Sequence, residues 1–183
     1  MINRTNFYDS IRPALFATTM KPRQVEGINA ILDEWESRQL TDMRWLAYAL
    51  ATTYHETAKT MWPIEEFGKG KGKKYGKPDS ETGLIYYGRG FVQLTWKYNY
   101  ANMSTIVGAD LVHKPELALD LKNASVILIE GMLRGSFTGK KLSTYINADK
   151  EDWPNARRII NGLDKATMIA GYARNFWKPL SSQ

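Results

Sequence analysis

The spacing of apolar residues is helical over most of the chain. Phe7, Ile11, Leu15 and Phe16 predict a first helix over residues 5–16, bent or shortened by Pro13. Pro22 suits the first turn of a second helix, whose stripe of Val25, Ile28, Ile31, Leu32 and Trp35 runs to about Gln39. Thr41 is the expected N-cap of a third helix, with Met43, Leu46, Ala49, Leu50, Thr53 and Thr57 on one face. From Lys114-Pro115 the pattern is helical again. Residues 124–133 are apolar nearly all round, which marks a central buried helix. Glu130 inside it is expected to be paired, and Gly131 to allow a close helix crossing. Asp152 and Asp164 are expected to cap two further helices. The first ends at Asn161-Gly162; the second carries Met168, Ile169, Tyr172, Ala173 and Phe176 and is stopped by Pro179.

The middle of the chain reads differently. Residues 68–83 mix Gly, Lys, Tyr, Pro, Asp and Ser, the composition of a turn-rich lobe or small hairpin. Lys69, Lys71, Lys73, Lys74 and Lys77 make it basic, either as a solvated loop or as a contact for phosphate or carboxylate. Gly88-Arg89-Gly90 lets the backbone pass close to a neighbour. Val92, Leu94 and Trp96 then alternate with Gln93, Thr95 and Lys97, a short strand-like period. No linker, repeat or low-complexity tract divides residues 1–183. The expectation is one mainly α domain with a small β-hairpin or loop lobe around residues 64–96.

Composition narrows the chemistry. The chain has 183 residues, 43% of them hydrophobic, enough for a sizeable core. It has no cysteine, which excludes disulfides and thiolate catalysis, and its two histidines form no metal-ligand spacing. No metal or other cofactor is expected. The net charge of +6 and pI near 9.4 favour polyanionic partners: nucleic acid, anionic lipid or acidic wall polymer. The N-terminus has no apolar core of a signal peptide, and no stretch approaches the ~18 apolar residues of a membrane span. A soluble product made in the cytoplasm is expected.

Candidate chemistry gathers between Tyr48 and Tyr100. Glu56 falls roughly 80° from the centre of the third helix's apolar face, in its last turn. An acid at that edge reaches a cleft while partly desolvated. Desolvation and the helix C-terminus both favour its protonated form, as a general acid requires. Glu65 and Glu66 follow, and then a segment dense in Tyr, Trp, Arg, Gln and Asn, side chains that suit sugar faces and hydroxyls. The basic residues of 155–178 also suit an anionic membrane surface.

Tyr87-Gly88-Arg89-Gly90-Phe91-Val92-Gln93-Leu94-Thr95-Trp96-Lys97-Tyr98-Asn99-Tyr100 closely resembles the signature of glycoside hydrolase family 19 chitinases. His55-Glu56-Thr57 and Ile159-Ile160-Asn161-Gly162 resemble two further elements of that family, in the same order. Size, charge and lack of cysteine look most like phage endolysins of this superfamily, such as those of Acinetobacter phages.

The resemblance implies a lysozyme-like, two-lobed helical fold and cleavage of the peptidoglycan glycan strand by a monomer, with a holin giving access to the wall. It makes Glu56 the general acid. Its Pro-Ile-x-Glu-x-Gly pattern selects Glu66 over Glu65 as second carboxylate, with Thr95 beside the catalytic water. It assigns Tyr87, Arg89, Gln93, Tyr98 and Asn99 to substrate binding, with Asn161 and, beside it, Arg158. The chitinase loops that define an extended chitin cleft have no room in this chain, which points away from chitin as the natural substrate. A wall- or nucleic-acid-binding module without turnover would suit the charge. It gives no reason for Glu56 and the aromatic segment to occur together, so nucleic acid is not an expected partner.

Overall fold

The computed structural model describes residues 1–17 and 19–181. Among the described residues seven α-helices carry the body: α1 (Arg4–Leu15), α2 (Pro22–Ser37), α3 (Met43–Glu56), α4 (Lys97–Val107), α5 (Leu121–Arg134), α6 (Leu142–Tyr145) and α7 (Ala166–Leu180). Two short strands, β1 (Ile64–Glu65) and β2 (Arg89–Gly90), pair antiparallel with Ile64 opposite Gly90 and Glu65 opposite Arg89. They close the neck of a small lobe that is otherwise turns. This is the mainly helical, lysozyme-like architecture expected, with the lobe where the composition placed it.

The core forms where α3 packs against α7, with α1 on α7 and α2 and α4 on α5. Burial in α3 is nearly continuous from Leu46 to Tyr54, wider than the single stripe expected. Its small residues Ala47, Ala49 and Ala51 let neighbours approach on several sides. The other long buried helix is α5, from Ala124 to Met132, as its apolar run required. Glu130 is tolerated there because the guanidiniums of Arg38 and Arg134 both engage it. Burial works against its charge, but the two arginines outweigh that and hold its carboxyl below the usual range.

Several local expectations are corrected. The N-cap of α3 is Asp42, whose side chain accepts from the Arg44 amide, and not Thr41. Gly131 does not serve a helix crossing; a Cβ there would meet the Phe137 ring at 2.1 Å. The alternating segment 92–97 is not a strand but a turn that runs into α4 at Lys97. Gln93 and Trp96 take φ of 55° and 70°, which breaks an extended run, and Leu94 only bridges back to Arg89. Asp164 does not cap α7: Lys165 stands at the cap position in left-handed backbone, and the Asp164 carbonyl accepts from Arg157 Nε instead. Pro179 lies within α7, which runs on to Leu180. The helix read into 152–160 is a short 3-10 turn, Asn155–Ile159, although Asp152 does accept the Asn155 amide.

The apolar stripe of α7 (Ile169, Ala173, Phe176) is consumed by packing against α1 and α3. Met168, assigned to that stripe, is 39% exposed. Only the outer face of α7, with Arg174, meets solvent, so the helix would have to leave the core to bury its stripe in lipid. Among the described residues no helix is long and apolar enough to cross a membrane.

One close contact links this core to the lobe. Gly27 of α2 faces the turn after α3, where a Cβ would stand 1.8 Å from the Met61 carbonyl oxygen. Neither backbone can yield without moving β1, three residues on. Gly27→Ala is expected to lower stability by about 1–3 kcal/mol in urea denaturation, with the denaturant slope unchanged. Wild-type stability in that variant would show that the α2–Met61 contact is soft.

Candidate active site

The candidate acid sits at the C-terminal end of α3 because Thr57 stops the helix there. The Thr57 hydroxyl donates to the Thr53 carbonyl at 2.7 Å and accepts the Met61 amide at 3.1 Å, tying the next turn beneath the helix end. Ala58, Lys59 and Met61 adopt left-handed backbone to make that turn. The chain then enters β1 and delivers Glu66 opposite the helix end. The Glu66 amide donates to the Gly88 carbonyl at 2.7 Å, and the Gly88 amide donates to Glu66 Oε2 at 3.1 Å. Gly88 is required at this point. A Cβ would lie 2.9 Å from Gln93 Oε1 and 3.2 Å from the Glu66 Cβ.

Glu56 and Glu66 line one cavity of about 460 Å³. Gln93, Thr95, Tyr98, Asn99 and Asn161 line it too, so the structure brings together seven of the ten residues singled out from the sequence. Gln93 is held by bonds from its amide nitrogen to the carbonyls of Ile64, at 3.0 Å, and Gly90, at 3.3 Å. Asn99 donates to the Thr95 carbonyl at 3.0 Å and so fixes the turn that presents Thr95. Tyr75 and Trp96 meet edge to face at 5.6 Å, and Trp96 stacks on Tyr98 at 6.3 Å, forming an aromatic wall. Trp96 and Tyr98 remain exposed enough to offer ring faces to a ligand.

The other three residues lie elsewhere. Arg89 is buried behind the wall, its guanidinium stacked on the Tyr87 ring at 3.6 Å and donating to the Tyr100 hydroxyl at 3.1 Å. Tyr87 donates its hydroxyl to Glu65. Neither lines the cavity; both brace the segment that does. Arg158 is exposed and reaches Asn155 at 3.3 Å, away from the cavity. The arginine that matters is its neighbour. Arg157 is 3% exposed and donates from its guanidinium to Glu56 Oε1 at 2.5 Å. The acid therefore has a buried cationic partner, where the helical wheel alone implied only an apolar edge.

The two adjacent glutamates separate clearly. Glu65 turns away from the cavity, and the Tyr87 hydroxyl, with Lys69 and Arg89 close by, holds its carboxyl below the ordinary range. Glu66 faces the cavity and accepts the Tyr75 hydroxyl on Oε1 at 2.9 Å. Burial, reinforced by Glu66, pushes the Tyr75 phenol up to about 12, so that hydroxyl stays a proton donor at neutral pH. Each Glu66 oxygen thus takes one donor and keeps lone pairs for a water.

Sequence reasoning missed Tyr75, Arg157, Phe137 and Ile160. Tyr75 carried a faint signal, as the one aromatic in a polar lysine-glycine run. For Arg157 there was none, since its partner lies 101 residues away. Among the described residues no group of three or more His, Cys, Asp or Glu is placed to hold a metal ion.

The sequence model of glycoside hydrolase family 19, chitinase class I, matches residues 41–133. The chain belongs to that family. Chitinase 3 of Oryza sativa subsp. japonica is 34% identical over 93 residues, 42% of this chain and 29% of that protein. Endochitinase A2 of Pisum sativum is 33% identical over 91 residues, covering 42% and 28%. The matched stretch thus spans less than a third of these relatives. The crystal structure of chitinase C from Streptomyces griseus HUT6037 superposes over 98% of this chain and 92% of its own, with a TM-score of 0.64 at 19% identity, a likeness of fold.

In the Arg157–Glu56 pair the arginine is buried and the carboxyl opens only to the cavity, whereas Arg12–Asp9 on α1 is open to water on both sides. Arg157→Ala is expected to cost about 3–5 kcal/mol of stability by stranding the Glu56 carboxylate. Arg12→Ala should cost at most about 1 kcal/mol. Equal effects in parallel urea titrations would mean that the inner pair is as solvated as the outer one.

Proposed function

We propose that the protein is a glycosidase that hydrolyses the glycan strand of bacterial peptidoglycan, in the manner of a phage endolysin. The observation that carries the reading is that Glu56 and Glu66 line one cavity, and that Thr95 lines it with them. Hydrolysis with inversion needs one carboxyl to protonate the bridging oxygen and a second, on the other face of the sugar, to activate water. Glu56 serves as the acid, its carboxyl oriented by Arg157. Glu66, held by Tyr75 and the Gly88 amide, is the base, and Thr95 steadies the water. Tyr98, Asn99, Gln93 and Asn161 bind the sugar rings.

Length does not choose between chitin and peptidoglycan, because a bacterial chitinase occupies nearly the same fold over a similar span. Charge supports peptidoglycan: chitin is neutral, whereas peptidoglycan carries peptide carboxylates, and this chain has a net charge of +6. The relatives named above, all chitinases, keep chitin as the second reading. In the cell, the enzyme would be made in the host cytoplasm and reach the periplasm through a separate holin.

The test is mass spectrometry of soluble products from purified peptidoglycan. Wild type should release hydrated fragments with reducing-end muramic acid, and Glu56→Gln should be slower by about 10²–10⁴-fold. Anhydro-muramic ends, lighter by one water, would make the enzyme a lytic transglycosylase and remove Glu66 from the chemistry. Fragments from chitin oligosaccharides alone would favour the second reading.

The same assay separates the adjacent acids. Glu66→Gln should fall by a similar order, since general base catalysis is worth about 10²–10⁴-fold. Glu65→Gln should keep most of the rate. A reversed ranking would exchange their roles.

A further inference from the structure

The lobe that carries Glu66 has a second chemical character that hydrolysis does not use. Lys69, Lys71, Lys73, Lys74 and Lys77 are all exposed. The backbone beneath them is ordered by a series of short turns: the amides of Lys69, Lys71 and Lys73 donate to the carbonyls of Glu66, Gly68 and Gly70 at 2.9–3.0 Å. The far end is fastened by Lys97, whose ammonium meets Asp79 at 2.8 Å. This is a shaped surface, not a loose tail.

Its acids are already engaged. Glu65 pairs with Lys69, Asp79 and Glu81 pair with Lys97, and Glu66 is held by Tyr75 and the Gly88 amide. Lys71, Lys73, Lys74 and Lys77 have no acidic partner among the described residues. The face is also attached to the cavity, because Tyr75, set among these lysines in the chain, lines it. Lys74 and Lys77 lie at most two residues from Tyr75, about 7 Å of extended backbone. That is inside the screening length of about 10 Å at 0.1 M salt. Phe67, fully exposed, follows Glu66 directly and adds an apolar ring to the same lobe.

We propose that Lys71, Lys73, Lys74 and Lys77 form a docking face for the carboxylates of a glycan strand threaded through the cavity. The face selects a carboxylate-bearing polymer over a neutral one. The inference rests on the glycan-hydrolase reading and deepens it, because it names the substrate class by charge. Anionic lipid is the competing occupant. The cavity argues against it: the lobe that carries these lysines also supplies Glu66 and Tyr75 to a sugar-sized cleft, for which a lipid surface has no use.

Binding tests this separately from turnover. The Glu56→Gln protein would be co-sedimented with purified peptidoglycan sacculi at 50 mM and 300 mM salt, with and without Lys71→Gln, Lys73→Gln, Lys74→Gln and Lys77→Gln together. The same sacculi would be used after carbodiimide amidation of their carboxylates. The fourfold variant should bind native sacculi about tenfold more weakly at low salt. Amidation should weaken the parent to the same level and leave the variant unmoved.

A charge-matched control, Lys114→Gln, Lys122→Gln, Lys140→Gln and Lys141→Gln, should keep most of the affinity. Equal loss in that control would overturn the proposal in favour of net charge. Indifference of the parent to amidation would also overturn it. In a parallel co-sedimentation with phosphatidylglycerol vesicles, loss of vesicle binding in the fourfold variant with sacculus binding unchanged would also overturn it, in favour of lipid. If the parent binds sacculi as proposed but wild type releases no fragments, the docking face stands and the hydrolytic reading fails.

Discussion

The site depends on one buried ion pair. Arg157, in a short turn near the C-terminal end, reaches the last residue of α3 across 101 residues of sequence. It is almost without solvent, and its second bond, to the Asp164 carbonyl, ties the entry to α7 into the same knot. A charge so placed costs several kcal/mol of desolvation and is stable only with its partner. The same contact therefore closes the body of the protein and aims the candidate acid. Surface pairs such as Arg12–Asp9 do neither, because water screens them.

The opposite wall obeys a different constraint, backbone proximity. Glu66 is positioned chiefly by Gly88, which meets both its amide and its carboxylate, with the Tyr75 hydroxyl on the other carboxylate oxygen. Two strands of two residues each are enough to hold this geometry because Gln93 pins them from the side and Arg89 braces them from behind. The signature segment thus divides its labour. Gln93, Thr95, Tyr98 and Asn99 face the cavity, while Tyr87, Arg89 and Tyr100 form the frame that keeps them there.

The cavity is polar and lined by aromatic faces, and its lobe carries charge that the protein itself does not neutralise. These are the features on which the proposal of an acidic glycan substrate rests. Family membership accounts for the two-lobed body and the order of the motifs.

The sequence by itself determined the helical body, the position of the small lobe and most of the cavity. Periodicity marks helices because burial of one face is local and repeats every turn, and α2, α5 and α7 were legible for that reason. The Glu56 and Asn99 sides of the cleft were legible through the family signature. Only the tertiary structure decided which arginine serves Glu56 and that Tyr75 belongs to the wall, and it gave the physical reason why Glu66, which the family pattern selects, faces the cavity and Glu65 does not. Arg157 and Arg158 are chemically alike and adjacent, and so are Glu65 and Glu66. Their roles differ by which way one backbone turn points, and a turn is oriented by distant partners: α3 for the arginines, Gly88 and Tyr87 for the glutamates. The apparent strand at 92–97 failed for the same reason. Its alternation was real, but the left-handed backbone at Gln93 and Trp96 answers to contacts outside the segment, the carbonyls of Ile64 and Tyr86.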